Sequence, residues 1–170
     1  MYPVILVVMG VSGAGKTTLA EALAERLGWR FQEGDALHPA ANIAKMAAGR
    51  ALDDTDRWPW LDAVGAWIDG CVAIGRPGVI TCSALKRAYR DRLCADRPSV
   101  RFAFIRAPRA TIAARLERRA SHFMPPGLLA SQFEALEPPG PGEPVIVVDG
   151  HGSPSEQVDA VLDQLTEGGR

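Results

Sequence analysis

Near the start of the chain, between an apolar run and a helical pattern, stands Gly10-Val11-Ser12-Gly13-Ala14-Gly15-Lys16-Thr17, which fits G-x-x-x-x-G-K-[ST]. The run before it, Val4 to Met9, contains only β-formers and apolar side chains. It is too short to cross a bilayer and lacks a basic leader, so a buried strand is expected there. After the loop, Leu19, Leu23 and Leu27 recur at four-residue spacing, predicting a helix from Lys16 to Leu27 that Gly28 stops. Strand, loop and helix in that order confine the chain to a layered α/β fold.

The loop's composition has a physical reading. Glycines permit backbone conformations that a side chain would block. Successive N–H groups then converge into an anion nest, and the following helix adds its positive end. Lys16 is in reach of β- and γ-phosphates, Thr17 offers a hydroxyl to Mg²⁺, and Thr18 continues the first turn. A glycine-rich turn without a ligand requires neither the lysine nor the hydroxyl. The segment Gly10–Thr18 is therefore expected to bind a nucleoside triphosphate, ATP with Mg²⁺.

The rest of the chain alternates in the same way. Strands are expected at 29–33, 79–82, 102–105 and 145–148, with helices at 38–49, 56–74, 85–94, 109–119 and 155–165. Together with the first strand and helix this predicts a three-layer α/β fold, a five-stranded parallel sheet with helices on both faces. A length of 170 residues suits one domain, 1–170, and falls short of two. Pro138 to Pro144 is a Pro/Gly-rich connector.

Composition narrows the function classes. Apolar residues make up 47% of the chain, enough for a sizeable core, and a net charge of -1 builds no broad cationic face, so nucleic acid is an unexpected partner. Cys71, Cys82 and Cys94 are odd in number and form no C-x-x-C pair, so no disulfide framework or zinc site is expected and a reduced cytoplasmic setting fits. Only three of the nineteen basic residues are lysines: Lys16, Lys45 and Lys86.

A guanine-reading N-K-x-D loop is absent, since the one asparagine, Asn42, precedes Ile43. The D-x-x-G matches at Asp62–Gly65 and Asp149–Gly152 are cheap patterns, the first inside a predicted helix. The third strand ends Thr81-Cys82-Ser83 without a Walker B carboxylate, so acidic support for the metal is expected from Glu33 and Asp35 after the second strand. Such an arrangement points to transfer of a phosphoryl group to a small metabolite.

Four motifs extend this: E-G-D-x-L-H-P from Glu33, D-x-D-R-x-P-W-L from Asp54, C-S-A-L-K from Cys82 and H-F-M-P from His122. With the phosphate loop they make the chain resemble the bacterial-type gluconokinase family, from the loop to about Asp149. One departure is Glu33, where that family usually carries Asp. The resemblance implies the fold of the nucleoside-monophosphate and shikimate kinases, D-gluconate phosphorylated at its 6-hydroxyl, and a homodimer. On that reading Lys16, Asp35 and Arg115 are catalytic, with Asp35 orienting the attacking hydroxyl. Arg57, Lys86 and Arg90 are candidates for the acid and hydroxyls, because arginine pairs bidentately with a carboxylate. His38, Lys45, Ser83 and Gln132 supply further hydrogen bonds. Arg115, Arg118 and Arg119 lead into a lid at about 119–128, where arginines stabilise γ-phosphoryl charge and closure excludes water. His122 either reaches the site or anchors the lid. Trp58, Trp60 and Trp67 are expected to pack helices, and the Gly152-Ser153-Pro154 turn to border the adenine. Another small-metabolite kinase of the same fold and a non-catalytic nucleotide switch remain the alternatives.

Overall fold

The computed structural model describes residues 2–119 and 126–168. Its framework is a five-stranded, wholly parallel sheet in the order β2-β3-β1-β4-β5. The strands are β1 (Ile5–Met9), β2 (Arg30–Gln32), β3 (Gly78–Thr81), β4 (Val100–Arg106) and β5 (Val145–Asp149). The helices are α1 (Lys16–Leu27), α2 (Ala40–Ala47), α3 (Asp54–Ala73), α4 (Arg87–Cys94), α5 (Arg109–Arg118), α6 (Pro126–Ala135) and α7 (Pro154–Glu167), with a 3₁₀ turn at Gly34–Leu37.

The unbroken apolar run of β1 is explained by burial on both faces. Leu6 and Val8 point into a core shared with Leu19 and Leu23 of α1, Ile112 of α5, Leu129 of α6 and Val158 of α7. Ile5, Val7 and Met9 point the other way, into a core built with Trp60, Leu61 and Ile68 of α3 and Tyr89 of α4. Each fully buried Leu or Ile is worth about 1.5–3 kcal/mol over its exposed state. Trp60 is buried, and Trp58 and Trp67 pack against the same core.

Caps account for the small shifts in helix limits. Asp53 and Asp56 form a reciprocal capping box, so α3 starts at Asp54, before the expected Asp56. Ser153 and Glu156 do the same for α7, which makes the Gly152-Ser153-Pro154 turn a helix cap. Helix α6 is an addition: it begins at Pro126, inside the segment expected to be a lid. Proline is tolerated in the first turn because its missing N–H has no intrahelical partner there. Residues 120–125, including His122, lie outside the described part.

Candidate active site

In an open parallel sheet, ligands bind beyond the carboxyl ends of the strands. Here β1 runs into the glycine loop, where Gly10, Gly13 and Gly15 all take positive φ. Gly15, at φ 99° and ψ 25°, is the N-cap of α1. The Gly10 amide donates to Ser83 O at 3.3 Å, tying the loop to the exit of β3. Val11 and Ala14 are buried and anchor it from beneath. Lys16 folds back over it, its Nζ donating to Val11 O at 3.0 Å. Burial pushes the Lys16 pKa down, while Asp35, Cys82 and Glu33 pull it up less strongly.

A cavity of about 200 Å³ opens over this loop, lined by Ser12, Lys16, Thr17, Thr18, Glu33 and Arg119 among others. Thr17 Oγ1 donates to Glu33 Oε2 at 2.6 Å, and Glu33 Oε1 accepts from Thr81 Oγ1. Thr81 in turn accepts from the Gly34 amide at 2.9 Å. The strand end that lacks a carboxylate therefore contributes the hydroxyl that fixes one. Gly34 is required by space: a Cβ there would lie 1.7 Å from Thr81 O. Trp60 Nε1 donates to Gly34 O at 2.8 Å, so the turn carrying Asp35 is held from two sides.

A second cavity of about 170 Å³ adjoins the first and is lined by His38, Arg57, Ser83 and Gln132, as expected, and also by Arg50. Ser12, Lys16 and Asp35 line both cavities. His38 stacks on Trp60 at 4.2 Å between ring centroids and 15° between planes. Its burial lowers its pKa, opposed by Asp35, so the ring is neutral at pH 7. Gln132 reaches the phosphate loop directly: the Ser12 amide donates to its Oε1 at 2.6 Å, and its Nε2 donates to Ser12 Oγ at 3.2 Å. Burial pushes the Cys82 thiol up to about 12, so it is no nucleophile.

Four expected residues line neither of these two cavities. Arg90 is 1% exposed and saturated by Glu143, with Nε to Oε1 at 2.6 Å, and by the carbonyls of Ala84, Leu85 and Glu137. It docks the 138–144 connector and has no donor left for an acceptor molecule. Lys45 is bound to Asp56 at 2.6 Å, outside the cavity. Lys86 lies in a hollow that shares Ala51, Leu52, Arg57 and Ser131 with the second cavity, 3.0 Å from Asp54, whose carboxylate also accepts from Tyr89. Arg115 donates to the carbonyls of Ala14 and Gly150, and Arg119 lines the phosphate cavity. The expectation for Arg90 is corrected, and all four placements share one cause: a basic residue's partner is chosen by tertiary placement.

Comparison with known proteins bears on the family and the fold. Residues 5–139 match a family described as "AAA domain". The chain is 53% identical over 165 residues to the gluconokinase of Gluconobacter oxydans (strain 621H), covering 97% of this chain and 90% of that one. It is 47% identical over 141 residues to the thermosensitive gluconokinase of Escherichia coli (strain K12), covering 83% and 75%. The crystal structure of a gluconokinase from Sinorhizobium meliloti 1021 matches with a TM-score of 0.88 at 44% identity, covering 98% of this chain and 93% of that one. With its phosphate loop, parallel sheet and these relatives, the chain belongs to the gluconokinase family of P-loop kinases.

Proposed function

We propose that this protein transfers the γ-phosphoryl group of ATP to the 6-hydroxyl of D-gluconate, giving 6-phospho-D-gluconate and ADP. The observation that carries the reading is the sharing of Ser12, Lys16 and Asp35 by the phosphate cavity and its neighbour. An acceptor in the second cavity meets a phosphoryl group from the first at those three residues.

The chemistry follows from the side chains. The acceptor oxygen bonds to the γ-phosphorus as the bond from that phosphorus to the β–γ bridging oxygen breaks; ADP departs, and the hydroxyl proton leaves by way of Asp35 to solvent. Charge on the transferred group spreads over its equatorial oxygens, so catalysis is mainly positioning and electrostatics. Lys16 and the loop amides hold the phosphates, and Asp35 accepts the hydrogen bond of the attacking hydroxyl. Arg119 supplies a guanidinium at the phosphate cavity. Residues 119–128 act as the lid over one domain spanning 1–170.

The donors at Thr17 and Glu33 fit Mg²⁺. They are hard oxygens 2.6 Å apart, and because the Thr17 hydroxyl donates to Glu33 its lone pairs face outward. Thr17 would hold the ion directly and Glu33 would orient it. When bound, Mg²⁺ neutralises charge developing on the phosphate oxygens. Among the described residues no helix is long and apolar enough to cross a membrane. We place the protein in the cytoplasm as a homodimer, a state that light scattering of the purified protein measures.

A coupled ADP-release assay across gluconate, shikimate, adenylate and glucose tests the reaction. Turnover with gluconate is expected. Activity on another acceptor with none on gluconate overturns the proposal.

A further inference from the structure

The acceptor cavity is unevenly charged. Its ionic lining consists of Lys16, Asp35, Arg50 and Arg57, with His38 neutral. Lys16 and Asp35 belong also to the phosphate side, which leaves Arg50 and Arg57 as the charged groups of the remaining wall. The uncharged lining mixes apolar Met46, Ala51, Leu52 and Leu128 with polar Ser83, Ser131 and Gln132.

Three further cations expected at the acceptor are already matched to carboxylates: Lys45 to Asp56, Lys86 to Asp54 and Arg90 to Glu143. Among the described residues neither Arg50 nor Arg57 has a carboxylate within 4.0 Å. Two guanidiniums on one wall, neither in ion-pair contact with a carboxylate, attract an anion.

The backbone explains how Arg50 comes to be there. Helix α2 ends in a Schellman turn: Gly49 takes φ 75°, its amide bonds Met46 O at 2.9 Å, and the Arg50 amide reaches back to Lys45 O at 3.1 Å. The αL residue turns the chain across the helix end, and Arg50 leaves it at the cavity wall. The cap uses only the Arg50 backbone, so its side chain is free for a ligand.

We propose that Arg50, with Arg57, grips the carboxylate of the acceptor and is the residue that makes the site select a sugar acid over a neutral sugar. The inference rests on the gluconate reading above, since that molecule carries its carboxylate at the end opposite the reacting hydroxyl. Guanidinium forks bind carboxylates bidentately, and an ammonium reproduces only the charge.

The experiment compares wild type with Arg50→Gln and Arg50→Lys. Arg50→Gln is expected to raise the KM for gluconate about 10–100-fold, as loss of a charge-assisted bond predicts. Its kcat and ATP KM stay within about threefold, and its melting temperature is unchanged, because the cap is intact. Arg50→Lys lands between the two. The inhibition constant of D-glucitol, which keeps the hydroxyls and lacks the carboxylate, is the same in all three. An unchanged gluconate KM in Arg50→Gln overturns the assignment, as does equal weakening of gluconate and glucitol. A wild-type protein inactive on gluconate overturns the reaction itself, a result recognisable before any variant is made.

Discussion

Asp35 illustrates how a residue's setting assigns its work. Its side chain is 76% exposed, yet the turn beneath it is pinned through Gly34 to both Thr81 and Trp60. A mobile carboxylate would be a poor orienting group; one on a pinned turn is a good one. Asp35→Ala should therefore lower kcat by about 10²–10⁴ while ATP affinity is retained, the usual range for losing a positioned acid–base group. Nucleotide titration beside steady-state kinetics checks both halves, and lost ATP binding would move Asp35 to the metal. Gln132 makes a sharper case. Its Oε1 accepts from the Ser12 amide, one of the donors meant for phosphate. Gln132→Glu puts a fixed negative charge on that amide, where it competes with the triphosphate. The ATP dissociation constant should rise about tenfold or more at low salt and recover partly as salt is raised. A Kd equal to wild type at low salt would refute the competition.

Elements are held in register by a few buried polar links, among them Arg90 with Glu143. Burial works against the Glu143 charge, but Arg90 and the Gly140 amide hold its carboxyl below the ordinary value. The pair ties α4 to the connector before β5. Removing one partner leaves the other charged and buried, so Arg90→Met should cost about 3–5 kcal/mol. Arg90→Met combined with Glu143→Leu should recover much of that loss in chemical denaturation. Failure of the double variant to improve on the single one would mean that the arginine's carbonyl contacts dominate. This link also marks where the sequence stops being readable. The glycine loop, α1 and the sheet are legible because local pattern and chain order determine them. Burial on both faces gives β1 its unbroken run, and alternation with helices predicts parallel strands. Helix α6 is hidden by Pro125-Pro126-Gly127, which looks like a break in the sequence although Pro126 and Gly127 begin the helix. The partners of Arg90, Arg115, Lys45 and Lys86 are hidden for another reason. An arginine aimed at a substrate and one locked on a distant glutamate carry the same letter, and only the packing of α4 against the connector separates them. Arg50 escapes notice likewise, since a residue after a helix-ending glycine reads as solvent.

Across the whole molecule, charge pairing sets the response to acid. Asp54, Asp56, Asp62 and Asp69 are held below their ordinary value near 3.8 chiefly by hydrogen bonds from Tyr89, Lys45, Arg92 and Arg97 respectively. For these groups the unfolded chain takes up protons first. Their stabilisation is present above the ordinary carboxylate value and is lost as pH falls through the lower folded values. His38 acts in the same direction but earlier. Burial against Trp60 lowers its pKa from 6.5, so below that pH the unfolded chain binds a proton that the folded chain resists. The proton that His38 resists changes stability by at most about 1.4 kcal/mol per pH unit. The melting temperature should therefore fall in two stages, gently from about pH 6.5 and steeply below about pH 4 as the carboxylates titrate. Calorimetry from pH 8 to pH 3 would resolve them. His38→Asn removes the titrating ring, so its upper stage should flatten while the lower stage stays. A wild-type melting temperature level down to pH 4, or an upper stage that survives in His38→Asn, would detach the histidine from the acid response.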